Sequence, residues 1–365
     1  MEYKGKMNKL IFSTAIFLVS CGPDAVQRAS DNPWSSKNDS VAIANNTVGV
    51  RVETPMVVDG NTVRKSALSI LNQAASSKDA RLRANAIEAL QFGPKDQLIQ
   101  AVRLGLGDEN RGVRFVATMT IGEENLCEIS TLLEPLLLDE SKSVQAAALY
   151  AMYKCGRDVD LNPLASMLYS ENPELRGNAA LVLGQMGNKS AVPMLRKSLK
   201  VSSSLIAPIR RRLINLQIAE ALVLLGEQQE LEVIRAAIFS STAEAEITAM
   251  ACQIAGELRD IEVISTLEGI LLTPARYPDE VRLVAATSLA EIAPSRMPLE
   301  PVLRFTSSNY ASLRSQCAAA LGAQGNQLSL GPLTLMMEDS DPLVQISAAG
   351  GVLRINNADS ITNID

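Results

Sequence analysis

Asn172-Pro173-Glu174-Leu175-Arg176-Gly177-Asn178-Ala179-Ala180-Leu181-Val182-Leu183-Gly184 reads as one helix with its start and its packing face written out. Asn172 is a good N-cap and Pro173 suits the first helical position. Leu175, Ala179 and Leu183 recur every fourth residue and so share a face. The phrase returns as Ser312-Leu313-Arg314-Ser315-Gln316-Cys317-Ala318-Ala319-Ala320-Leu321-Gly322. With the apolar residue before the Arg as anchor, nine copies align, at Leu82, Val113, Val144, Leu175, Ile214, Ile247, Val281, Leu313 and Val344. The steps are 31, 31, 31, 39, 33, 34, 32 and 31 residues. A period of this length marks a stacked helical array, because one such unit cannot bury its own apolar face.

Counting supports the register. All 27 residues at the anchor, +4 and +8 are apolar, in a chain that is 47% hydrophobic. Ala fills +4 in seven copies, where a small side chain lets helices approach closely. Asp79, Asn110, Ser141, Asn172 and Asp341 stand three residues before their anchors as N-caps. Gly122, Gly184, Gly256 and Gly322 recur at +9, and Gly156, Gly187, Gly226 and Gly325 at +12. Both sets are expected to close the first helix of each pair. A second apolar helix follows each time, as in 191–199. The extra residues from Lys200 to Arg211 imply a longer loop or helix there.

The pattern resembles the short HEAT repeats of the phycobilisome-lyase type, an Asp followed by Val-Arg, then Ala-Ala and Leu-Gly. It is carried here by Asp108 with Val113-Arg114, Asp139 with Val144-Gln145 and Asp339 with Val344-Gln345. The resemblance implies an all-α fold, a right-handed α-solenoid of about nine helix pairs over 61–355 with terminal capping helices. Residues 61–78 form an N-terminal cap and the polar tail 356–365 closes the other end. Nine pairs at ordinary helix spacing predict a rod or arc roughly 80 Å long. By the same resemblance, the Asp and Arg columns form inter-repeat hydrogen bonds. Arg83, Arg114, Arg176, Arg282 and Arg314 then read as a structural ladder rather than a grip on an anionic ligand.

The front end differs. Lys4, Lys6 and Lys9 precede the apolar run from Leu10 to Val19, then Ser20-Cys21-Gly22. A basic start, a short apolar segment and a small-residue exit make an export signal over 1–20. Leu10 to Ser20 spans roughly 16 Å as a helix, too short to cross a bilayer. Leu18-Val19-Ser20-Cys21 resembles the bacterial lipoprotein box, which implies cleavage between Ser20 and Cys21 and acylation of the Cys21 thiol. Gly22 rather than Asp after the cysteine implies, by the enterobacterial pattern, the outer membrane and its periplasmic face. Residues 21–60 are polar and lack a helical period, so they read as a tether with a reach of roughly 35 Å. The single tryptophan, Trp34, lies in it.

Composition excludes several function classes. The chain has no histidine, which removes the usual general base and the commonest metal ligand. The His–Glu iron sites of deoxyhypusine hydroxylase, an enzyme on this fold, therefore have no counterpart. No catalytic residues, metal or cofactor are assigned. Loss of 1–20 removes three Lys and one Glu and takes the net charge from −6 to −8. An acidic body argues against nucleic acid, which calls for a basic stripe.

Cys252 and Cys317 fall on the small-residue face and read as buried. Cys127 and Cys155 lie in adjacent repeats and are expected to stay unbridged. Aromatic residues make up only 4% of the chain, so Tyr150, Tyr153 and Tyr169, gathered in one repeat, are candidate contact residues. Tyr153 stands where four other copies carry Gly. Arg196, Lys197, Glu232, Arg235 and Glu268 on second helices are expected to line the inner curve. These features suggest a membrane-anchored, non-enzymatic scaffold that binds a protein of the cell envelope. One alternative is a lyase-like enzyme acting on a tetrapyrrole or protein; another is a spacer or assembly factor of an envelope complex.

Overall fold

In the computed structural model of the protein, the described residues are 60–201 and 206–362, with side chains through Ile355. The export segment, the tether through Asp59, Cys21 and Trp34 lie outside the described residues. In chain order the helices begin with α1 (Gly60–Ala74), α2 (Ala80–Leu90), α3 (Lys95–Leu106) and α4 (Arg111–Glu123). A run of 3-10 helix, Cys127–Leu138, precedes α5 (Lys142–Lys154), α6 (Asn162–Leu168), α7 (Pro173–Met186) and α8 (Val192–Ser198). Then come α9 (Pro208–Leu224), α10 (Leu231–Ile238), α11 (Ala245–Glu257) and α12 (Ile264–Leu272). The last are α13 (Asp279–Ile292), α14 (Leu299–Leu303), α15 (Ala311–Gln324), α16 (Leu330–Met336) and α17 (Pro342–Thr362), which runs on past Ile355.

Each anchored helix pairs with the shorter helix after it, giving an α-solenoid of HEAT-like pairs. The two members are buried differently. In α4 every residue from Val113 to Glu123 is buried, whereas α3 buries only Leu98, Ala101, Val102, Gly105 and Leu106. Anchored helices therefore form the inner layer and second helices the outer one. This overturns the expectation that second helices line the inner curve. Their sequences are apolar on one face only, while the anchored helices carry Ala, Gly and aliphatic residues nearly all round.

Caps follow the sequence. Asp79 accepts from the Arg81 amide, Asn110 from Gly112, Asn172 from Glu174 and Leu175, and Asp341 from Leu343. Ser141 makes no side-chain cap bond. The two glycine columns separate by role. Those at +12 are left-handed, as at Gly187 with φ 73°, and end the inner helix. Those at +9 lie inside the helix at crossings with the next one. A Cβ on Gly184 would sit 2.7 Å from Ala221 Cα, and one on Gly122 would sit 2.6 Å from the Tyr150 ring. The +9 column is thus about close approach, not helix ending.

The array closes on itself. Inner helices pack neighbour to neighbour from α2 through α4, α5, α7, α9, α11, α13 and α15 to α17, and α17 packs back on α2. Helix α1 also lies against both α17 and α2. It buries Val63, Ala67, Leu71 and Ala74 and occupies the place of the outer helix that the last repeat lacks. The N-terminal cap is therefore the missing half of the final pair. Phe92 lies under the Arg354 guanidinium at 5.4 Å, joining the two ends. The expected rod is a ring, because small rotations of one sign accumulate over nine units.

Candidate functional site

Each pair is a helical hairpin, so the ring has two rims. Inner helices start, and outer helices end, on one of them, here the start rim. The far rim carries the other ends. It also carries the disulfide between Cys127 and Cys155, whose Cα atoms are 5.3 Å apart. That bond overturns the expectation that the pair stays unbridged: opening the 3-10 segment on one side and capping α5 on the other brings the cysteines within range. Cys252 and Cys317 are buried thiols, pushed up to about 12 by desolvation.

The start rim holds the Arg–Asp ladder. Arg83 grips Asp108 through two bonds of 2.6 Å, Arg114 grips Asp139 at 2.8 and 2.9 Å, and Arg314 grips Asp339 at 2.7 and 2.8 Å. Each spans 25 residues, and each arginine also donates to carbonyls of its own turn, as Arg114 does to Asp108 and Glu109. The hydrogen bonds from Arg314 lower the pKa of Asp339, and hydrogen bonding to the aspartates raises that of the arginines. Two arginines of the column depart. Arg282 pairs with Asp279 at 2.6 Å in its own helix and stacks over Phe305. Among the described residues Arg176 meets no carboxylate, and its side chain donates from Nη2 to the Ser198 carbonyl at 3.0 Å.

The same rim opens into two adjoining clefts between α9 and α13. One, of about 270 Å³, is lined by Arg212, Asn215, Val233, Ala236, Ala237 and Ile247. The other, of about 180 Å³, is bounded by Phe239, Thr242, Thr248, Arg276, Tyr277 and Pro278. They flank α11 where its packing on α9 is the loosest between neighbouring inner helices. Arg212 bridges the seam to Glu244 and to Ser240. Apolar residues recur at the ends of outer helices here. Leu104, Phe239, Leu272 and Leu335 stand nine, eight, nine and nine residues before the next anchor and are 56–65% exposed.

The predicted contact residues are scattered. Tyr150 is 1% exposed, inside the ring against Gly122, because it lies on an inner helix. Tyr153 is half-buried against the core. Tyr169 donates its hydroxyl to the Met194 carbonyl at 3.2 Å, with the Lys197 ammonium 5.8 Å from its ring. On the outer layer Arg196 is paired with Glu227 and Glu230, Arg235 with Glu232 and Asp260, and Glu268 with Arg296. These ions stitch repeat to repeat. They do not converge with the tyrosines on one surface.

Sequence reading also missed the carboxylates of the inner helices. Glu88, Glu123, Glu220 and Glu291 are all under 9% exposed. Glu220 and Glu257 hydrogen-bond each other, so the pair holds a proton; burial pushes Glu257 up to about 7 and Glu220 well above the usual range. Glu291 is also raised by burial, although Arg354 binds it. The +6 and +10 columns carry this signal: glutamate there on a helix buried all round. Among the described residues, no group of three or more Cys, Asp or Glu is gathered as a metal ion would need.

Residues 129–212 match the profile of the HEAT repeats family. Among solved structures, the chain is similar to the complex of CpcE and CpcF of phycocyanin lyase from Nostoc sp. PCC7120, at 18% identity. That match covers 72% of this chain and 94% of the other, with a TM-score of 0.37. An engineered protein matches at 17% identity over 81% of this chain and 95% of its own, with a TM-score of 0.30. No curated protein matches the chain. Residues 129–212 thus match HEAT repeats, and the described residues as a whole are built as a solenoid of helix pairs.

Proposed function

We propose that the protein is a lipid-anchored, exported and non-catalytic scaffold that binds a protein partner of the cell envelope on the start rim. The observation that carries the reading is the recurring exposed apolar column, Leu104, Phe239, Leu272 and Leu335, beside the Phe239–Tyr277 cleft. Repeat arrays present recurring side chains of this kind on a rigid frame. Orientation adds support. Helix α1 takes an outer position, so the chain enters the ring at the far rim. An anchor at Cys21 would thus join the ring on the far-rim side and leave the start rim free to meet partners. Cys21, Gly22 and the basic start are the features that motivate the anchor.

A photo-crosslinking residue at Phe239 in intact cells, compared with one at Asp160 on the far rim, tests the surface. A discrete partner band from Phe239 alone is expected; equal labelling from both removes the proposed face. For the anchor, Cys21→Ser should leave the membrane fraction with its signal uncleaved. Retention of that variant in membranes with unchanged mobility defeats lipidation.

A further inference from the structure

The ladder contains one arginine without its acid. Arg83, Arg114 and Arg314 each meet an aspartate 25 residues later. Counting the same distance from Arg176 reaches Val201. No carboxylate replaces it: Glu174, the nearest in sequence, is held by Arg111. Yet Arg176 is 1% exposed and is among the largest fully buried side chains. Its Nε is buried without a hydrogen-bond partner, where the Nε of each ladder arginine donates to an aspartate. The 39-residue step, the longest in the chain, falls at this point. Helix α9, which follows, brings the positive charge of Arg211 within electrostatic range of Arg176. Desolvation, and then the charge of Arg211, lower the pKa of Arg176.

An isolated buried guanidinium is costly, and a like charge beside it adds to the cost. A guanidinium with an unused donor edge is also the group best shaped for two-point recognition of an oxyanion. We propose that Arg176 and Arg211 form a binding site for a small free anion, a carboxylate or phosphate that takes the place of the absent aspartate. With Arg176 at 1% exposure, a single compact anion fits the position better than the side chain of a docked polypeptide. Ser198, whose carbonyl accepts from Nη2, fixes the guanidinium plane. The site is independent of the scaffold reading and stands or falls by itself.

The test is thermal unfolding of the purified ring titrated with sodium phosphate and with sodium acetate, against chloride at equal ionic strength. At a hundredfold excess over Kd, a site specific to the folded form should raise Tm by about 4 °C beyond chloride. Arg176→Met should abolish that increment while leaving the ring folded, since the side chain is surrounded by core. Val201→Asp supplies the acid from within; it should raise Tm without added anion and make the protein indifferent to phosphate. General salting effects of phosphate act on all three proteins alike. The proposal is overturned if the wild type gains nothing over chloride, or if Arg176→Met keeps the increment.

Discussion

Two arcs of the ring obey different rules. From α15 through α17 and α1 to α5 the anchors are spaced by 31 residues, and Arg83, Arg114 and Arg314 each hold an aspartate. From α7 to α15 the steps are 39, 33, 34 and 32, and no residue of the column on α7, α9, α11 or α13 has that partner. The ladder gives way to Asn215 and Thr248, the clefts open, and Glu220 faces Glu257 across the loosest seam. A regular period lets one polar solution be reused at each step. Once spacing drifts, each rung needs its own solution, and Arg176 stays buried without an acid. Such residues are the usual signature of selection for something other than stability.

The contrast can be broken most directly at its arginines. Arg114→Met strands Asp139 and should cost about 3–5 kcal/mol, as when one partner of a buried pair is removed. Arg176→Met strands no acid, so in chloride it should cost under about 1 kcal/mol or stabilise. Denaturant unfolding of both variants measures the difference; equal costs would mean that the ladder is not what distinguishes the arcs.

The glutamate pair sharpens the contrast through pH. A carboxyl raised on folding keeps its proton in the native state while the unfolded chain loses its own. Stability is therefore full at and below about pH 4.5 and falls as pH rises towards about 7, the folded value of Glu257. Glu257→Gln should remove the share of that loss due to Glu257 and stabilise the protein by on the order of 3 kcal/mol at pH 8. Urea midpoints at pH 5 and pH 8 check it. Parallel slopes for variant and wild type would show that the pair does not set the dependence.

The disulfide belongs to the regular arc. Its loop closes 28 residues, so Cys155→Ser should lower stability by about 3 kcal/mol. The midpoint of the oxidised wild type should fall to that of the variant when a reductant is added.

The smallest effect concerns helix ends. Asn125 and Arg259 share the +12 column with the left-handed glycines, at φ 52° and 53°. Arg259 has a Cβ in a conformation that costs L-residues about 1–2 kcal/mol. Arg259→Gly should recover about 1 kcal/mol, whereas the same change at Asn125 should recover less, because Asn tolerates that region. Matched melting curves decide between them.

Much of the fold is legible locally. Anchor spacing locates the inner helices, Asp79, Asn110 and Asn172 cap as their types require, and Arg83, Arg114 and Arg314 form the ladder the resemblance implies, whereas Arg176 and Arg282 do not. Closure is not legible, because it depends on the summed rotation of nine units and no residue states it. Layer order could have been read: inner helices are apolar all round and outer ones on a single face. Tyr150 was misjudged for that reason, since its column lies inside. The missing acid at Val201 is visible in the alignment of columns, but its meaning needs the burial of Arg176.

Because α1 completes the pair begun by α17, the first of the described helices to be synthesised waits for the last. An open solenoid gains stability unit by unit as it is made. This chain keeps Val63, Ala67 and Leu71 without their final partner until nearly all of it has emerged. Loss of α17 by an early stop would therefore damage both ends at once, leaving α1 unmoored and Gly93 without the Leu353 side chain that lies against it. The ring is thus sensitive to truncation: only a product that includes α17 hides both of its seams.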